Sequence, residues 1–189
     1  MKIIVILNDI RSSENVGSIF RTADAAGVSK IILAGYTPSP IDRFGRENRG
    51  LAKAALGAEK FVEWERIDDL DMAIRSLQNC SASVPSEERR RQREKISSKK
   101  FSCKASRSNF AIIAIEQDKK AIDYKEIRID KTKNVALVFG NEVDGLSKED
   151  LKLCDLIAQI PMHGRKESLN VAVSAGIILY SLITDGIND

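Results

Sequence analysis

The stretch NVALVFGNEVDGLSKEDLKLCDLIAQIPMHGRKESLN covers residues 134–170, and its punctuation decides the fold. NVALVF is an apolar, β-branched run that stops at Gly140. SKEDLKLC reads as a short helix, with Ser147 as N-cap and Asp150 three residues on. DLIAQI is a second strand that runs into Pro161. Strands apolar on both faces, joined through a helix, are the unit of a parallel sheet covered by helices.

The same alternation extends outward to both ends. KIIVIL (2–7) is a buried strand, and Val16, Ile19, Phe20 and Ala23 keep the helical i, i+3, i+4, i+7 spacing up to Gly27. KIILAG (30–35) is the next strand, and YTPSPIDRFGREN is a loop. A short helix over 52–56 ends at Gly57, FVEW (61–64) reads as a strand, and IDDLDMAIRSL (67–77) reads as a helix whose acidic first turn suits its dipole. FAIIAIE (110–116) is a further strand, and Ser168 is expected to cap a final, uncharged helix. The fold class is α/β, a mainly parallel sheet flanked by helices, in one domain over residues 1–189.

Composition narrows the function. With 189 residues and 43% hydrophobic content the chain buries one sizeable core. No apolar run approaches the roughly 18 residues of a membrane span, and MKIIVIL gives way at once to NDIRSSEN, so a soluble, cytoplasmic protein is expected. Cys80, Cys103 and Cys154 are scattered, and one histidine cannot complete a metal site with them, so three reduced thiols and no metal are expected. The net charge of +3 hides an asymmetry. Residues 81–108 carry nine Lys or Arg, among them Arg89, Arg90, Arg91 and Arg93, against three Glu, so the rest of the chain is net negative. This low-complexity stretch reads as an insertion, either a grip for a polyanion or a solvated loop.

Three glycine-bearing segments follow or flank the strands: ENVGSIFRTADAAG, FGNEVDGLS and IPMHGRKESLN. None is GxGxxG or GxxxxGK[ST], so the usual dinucleotide and P-loop readings fail. Ligands of α/β sheets bind beyond the carboxyl ends of strands, which is where the last two segments begin. Those two loops should be neighbours.

In order and spacing, NVGSIFRTADAAGV, ALVFGNEVDGLS and IPMHGRKESLNVAVSAGIILY resemble the three motifs of the SPOUT superfamily, in its SpoU/TrmH branch of S-adenosylmethionine-dependent RNA ribose 2′-O-methyltransferases. The resemblance implies a C-terminal deep trefoil knot, a homodimer and an RNA substrate, tRNA or rRNA. It implies that the loops wrap S-adenosylmethionine, with Gly140, Asn141, Gly145, Gly164 and Ser168 beside it and Leu137, Ile160, Met162 and Leu169 as apolar walls. It assigns Asn15, Arg21, Glu142, Ser168 and Asn170 to the reaction. A guanidinium is a poor base, so Arg21 is expected to stabilise the developing alkoxide and grip a phosphate. Arg43, Arg46 and Arg49 form a basic cluster suited to RNA phosphates or to solvent, and His163 reads as a spectator. A silent RNA-binding protein on the same fold, and a base-methylating SPOUT enzyme, are the competing readings.

Overall fold

The computed structural model describes residues 1–79, 109–130 and 132–185. The basic segment at 81–108, with Arg89, Arg90, Arg91 and Arg93, and Cys80 and Cys103 lie outside the described residues.

Among the described residues seven parallel strands form one sheet. They are β1 (Ile3–Asn8), β2 (Lys30–Ala34), β3 (Trp64–Ile67), β4 (Phe110–Ile115), β5 (Ile122–Asp123), β6 (Asn134–Phe139) and β7 (Leu156–Gln159), in the order β3-β2-β1-β6-β4-β7-β5. The α-helices among the described residues are α1 (Ser13–Ala25), α2 (Arg49–Ala55), α3 (Leu70–Asn79), α4 (Lys148–Leu153) and α5 (Val171–Asp185). Pairing is parallel throughout, with Ile3 opposite Val135 on one side of β1 and Ile4 opposite Lys30 on the other.

Alternation along the strands divides the core in two. Val5, Leu7, Leu137 and Phe139 face α1, α2 and α5, packing on Ile19, Phe20, Leu51, Ile178 and Leu179. Ile4, Ile6, Ala136 and Val138 face the opposite side, where Leu70, Ala73, Ile74 and Leu77 of α3 cover them. Each fully buried aliphatic side chain contributes about 1.5–3 kcal/mol, so the sheet centre is the most stable platform available to a site. Cys154 is half-buried against the second layer. Among the described residues no helix is long and apolar enough to cross a membrane.

The structure corrects four boundaries. The strand expected at 61–64 is displaced to Trp64–Ile67, because Phe61 is 80% exposed and the register on β2 begins with Ile31 opposite Trp64. The helix expected over 52–56 begins at Arg49, since the Asn48 side chain accepts from Leu51 N and caps it, and Leu56 has turned left-handed at φ 53°. The helix expected from residue 67 begins at Leu70, because β3 runs through Ile67. Ser168 is not the cap of α5. Asn170 is: its Oδ1 accepts from Ala172 N at 2.9 Å, and its carbonyl accepts the first helical bond, from Ser174 N. The capping box at Ser147 and Asp150 forms as expected.

Candidate active site

The loops after β4, β6 and β7 converge with the start of α5 at the carboxyl edge of the sheet and enclose a cleft of about 310 Å³. Its floor and walls are Ile115, Phe139, Ile160, Met162 and Leu169. Glu116 and Glu142 are its charged residues, and no Lys, Arg or His lines it among the described residues.

The loop after β6 is folded tightly on itself. Asn141 bridges to Gly145, and Asn141 Oδ1 accepts from Val143 N at 2.8 Å and Asp144 N at 3.3 Å. Asn141 Nδ2 donates to Asp9 O and to the Tyr36 hydroxyl, so this 8%-exposed amide is committed to holding three loops together. Gly145 adopts φ +66°, and a Cβ there would lie 2.3 Å from Glu116 Oε2. Glu116 in turn accepts from Leu146 N at 2.8 Å, tying this loop to the end of β4. Gln117 Nε2 donates to Ile160 O, tying β4 to the loop after β7.

Glu142 binds the loop after β6 to the start of α1. Its carboxylate accepts from Arg11 N at 2.9 Å, Ser12 N at 3.1 Å and Asn15 Nδ2 at 2.9 Å. Partial burial pushes its pKa up, but those donors outweigh it and hold the carboxyl below its ordinary value. The first turn of α1 also favours a negative charge there. Because Asn15 Nδ2 points at Glu142, its Oδ1 is left to accept from Asn170 Nδ2 at 3.0 Å. One hydrogen-bonded chain thus links the first, second and third glycine-bearing segments.

Asn15, Glu142, Ser168 and Asn170 therefore meet at one cleft, as do Gly140, Asn141, Gly145, Ile160, Met162 and Leu169. Ser168 is exposed and has no hydrogen-bond partner among the described residues, which leaves its hydroxyl available to a ligand. Two expected residues are elsewhere. Leu137 is fully buried in the sheet core, and Phe139, two residues on along the same strand face, reaches the cleft in its place. Arg21 lies about 240° of helical rotation beyond Asn15, exposed and outside the cleft lining, and it pairs with neither Asp24 nor Glu14. His163 is exposed and also outside the lining. Gly164 has open space where a Cβ would go, so its loop does not require a glycine for packing.

Glu116, Gln117 and Phe139 were not anticipated as site residues. The rule that ligands sit past strand ends applies equally to FAIIAIEQ, so a signal for Glu116 was present. Among the described residues no group of His, Cys, Asp and Glu could hold a metal ion.

Comparisons with known proteins bear on the family and the fold. The model of the family described as SpoU rRNA Methylase matches residues 2–105 and 92–180. A tRNA (guanosine(18)-2′-O)-methyltransferase of Aquifex aeolicus is 28% identical over 94% of this chain and 67% of its own length. A 23S rRNA (guanosine-2′-O-)-methyltransferase of Xylella fastidiosa is 27% identical over 96% of this chain and 58% of its own. The crystal structure of an AdoMet-bound rRNA methyltransferase from Sinorhizobium meliloti superposes with a TM-score of 0.73 at 28% identity, over 97% of this chain and 56% of that one. The chain thus spans little more than half the length of the second and third of these proteins and 67% of the first. With the family model matching across both halves of the sheet and the motif residues converging on one cleft, the chain belongs to the SpoU rRNA Methylase family.

Proposed function

We propose that the chain transfers a methyl group from S-adenosylmethionine to a ribose 2′-hydroxyl of tRNA or rRNA. The observation that carries this reading is the chain of hydrogen bonds from Glu142 through Asn15 to Asn170 at the rim of the cleft.

The cleft's chemistry suits that cofactor. Its volume is at the small-ligand end of binding clefts, and its apolar walls suit an adenine ring. A lining with two carboxylates and no cation favours a cationic sulfonium and ammonium and opposes the phosphates of a nucleotide. Glu116, Gly140, Asn141, Gly145, Ile160, Met162, Ser168 and Leu169 would hold it. When bound, the cofactor supplies an electrophilic methyl group, so the protein's task is to position and orient.

Each residue has a place in that task. Glu142 fixes the amide of Asn15, and Asn170 receives its direction from Asn15 while capping α5. Ser168, unpartnered at the helix mouth, orients an acceptor oxygen. Arg21, with no ion pair among the described residues, meets the phosphate beside the reacting ribose and stabilises the alkoxide. Arg43 on the neighbouring loop and Arg49 at its helix start hold RNA phosphates, while Arg46, also expected there, is paired with Asp42 beside them. A single domain, the C-terminal trefoil knot and a cytoplasmic homodimer are part of the same reading. The family match supports the knot, and the exposed Val173 and Tyr180 on α5, which carries no charge before Asp185, support the dimer.

The test is methyl transfer from labelled S-adenosylmethionine into total tRNA and, separately, ribosomal RNA, followed by nucleoside analysis. A labelled 2′-O-methylnucleoside is expected. A labelled base would reassign the acceptor, and folded protein that binds no cofactor would remove the enzymatic reading.

A further inference from the structure

We propose that the loop between β2 and α2 is a stacking platform for a nucleobase of single-stranded RNA, built on Phe44 and on the guanidinium groups of Arg43 and Arg46 that lie over its ring. The inference rests on the RNA-modifying reading above and extends it to a surface outside the cleft.

Three large apolar side chains are exposed within nine residues of this loop: Tyr36 at 52%, Ile41 at 51% and Phe44 at 66%. Burial in this chain's own core explains none of them. The guanidinium carbons of Arg43 and Arg46 lie over the Phe44 ring, 4.8 Å and 5.0 Å from its centroid, so an incoming base stacks on a guanidinium plane of this pile or takes the place of one. An exposed aromatic ring interleaved with arginines is the chemistry that binds unpaired bases, since every base offers a π-face and the backbone beside it a phosphate.

The loop that carries the ring is held in place before any ligand arrives. Asp42 Oδ1 accepts from Phe44 N at 2.8 Å and Arg46 N at 2.9 Å, and Oδ2 takes the side chain of Arg46 at 2.8 Å. Ile41 bridges to Glu47, and Asn48 N closes on Pro40 O. A platform fixed in this way loses little entropy when a base stacks on it. Asp42 neutralises Arg46, leaving a rigid plane. Arg43 has no carboxylate partner among the described residues and is the one placed to meet a phosphate. Glu47 is exposed on the same loop, so the local positive charge is small and stacking must supply most of the affinity.

The loop adjoins the cleft. The Tyr36 hydroxyl is bonded by Asn141, a cleft residue, so a nucleotide stacked on Phe44 belongs to the strand that continues over the cleft rim. An A-form duplex hides its base faces and would not use the ring.

The experiment measures binding of the full chain to a fluorescein-labelled single-stranded RNA oligonucleotide of mixed sequence, and to the same strand annealed to its complement, over a series of salt concentrations. Phe44→Ala should weaken single-strand binding about tenfold, with duplex binding and the salt slope unchanged, and Phe44→Trp should restore it. Arg43→Ala should lower the salt slope by about one. All variants should bind S-adenosylmethionine as the wild type does, which establishes folding. Phe44→Ala indistinguishable from wild type, or equally weakened on the duplex, overturns the proposal. A changed oligomeric mass with unchanged RNA binding also overturns it, and marks a protein contact. Wild-type protein that methylates RNA while Phe44→Ala leaves its KM unmoved removes the platform alone. Wild-type protein that neither binds nor methylates RNA removes the underlying reading.

Discussion

Asn15 and Glu142, separated by 127 residues, are joined by a 2.9 Å hydrogen bond from Nδ2 to Oε1, and that bond decides which way the Asn15 amide faces. Its oxygen is thereby turned to Asn170. A carboxylate only accepts, so it draws the NH₂ toward itself, whereas a side-chain amide in its place could present either face.

Glu142→Ala should therefore lower unfolding stability by about 1–2 kcal/mol, since a charged acceptor of three donors is lost at a partly solvated position. Urea unfolding measures it. The pH dependence carries a sign. The folded carboxyl lies below its ordinary value of 4.5, so the stabilisation is present above that value and is lost as pH falls through the folded one. Other carboxyls held low, such as Asp42 and Asp130, add to the same limb, so the wild-type curve must be compared with that of Glu142→Gln. The variant should lose less stability on acidification than the wild type.

Asn170 has two separable duties. Its Oδ1 caps α5 and its Nδ2 reaches Asn15. Asn170→Asp keeps the cap and gains from the helix dipole, so the thermal midpoint should hold, while a carboxylate facing Asn15 Oδ1 breaks the relay. Methyl transfer should fall at least about tenfold, the equivalent of one lost oriented contact. Asn170→Ala should lose both, with about 1 kcal/mol of stability. A variant that loses midpoint and turnover together in the Asp case would show that the amide is purely structural.

How much of this was legible before the fold was known varies by element. β1, β4 and β6 are buried along almost their whole length, and their unbroken apolar runs read directly as central parallel strands. β5 is two half-buried residues at the sheet edge, and no periodicity exists in so short a segment. FVEW and WERI are both plausible edge strands by composition, and only pairing with Ile31–Ala34 chooses between them. The motif residues of the cleft were legible through the family resemblance. Leu137 was misplaced because it shares a strand face with Phe139 but lies two residues farther from the carboxyl end of β6, short of the cleft. The contacts of Glu116 with Leu146, and of Tyr36 with Asn141, span 30 and 105 residues. They follow from the crossovers that set strand order, which no local pattern encodes.

Two glycines of the cleft loops should respond differently to alanine. Gly145 has φ +66°, and an added methyl group would meet Glu116 Oε2 at only 2.3 Å, so Gly145→Ala should cost about 1–3 kcal/mol and weaken cofactor binding with it. Gly164 has nothing within 4 Å of the same position, and Gly164→Ala should leave the thermal midpoint unchanged. Paired calorimetric titrations with S-adenosylmethionine and thermal scans read both.

Burial, with Asp155 and Asp150 nearby, pushes the Cys154 thiol up to about 12. The thiolate is the nucleophile, so at about pH 8 Cys154 in the folded protein should alkylate about 100-fold or more slowly than in denatured protein. Peptide mass spectrometry after timed iodoacetamide treatment assigns the rate to this residue. Rapid labelling in the folded state would mean that α4 opens readily.

Arg21 is the residue whose removal the structure makes easiest to interpret. It stands on the exposed face of α1 and its side chain makes no hydrogen bond or ion pair among the described residues, so Arg21→Ala should leave stability within about 0.5 kcal/mol of wild type. It does not line the cleft, so affinity for S-adenosylmethionine should also persist. If it stabilises the alkoxide and the neighbouring phosphate, kcat should nevertheless fall by about 10²–10³. Arg21→Lys should recover only part of the loss, because an ammonium keeps the charge without the planar fork. A raised KM at unchanged kcat would place Arg21 in RNA binding alone, and unchanged turnover would remove it from the mechanism.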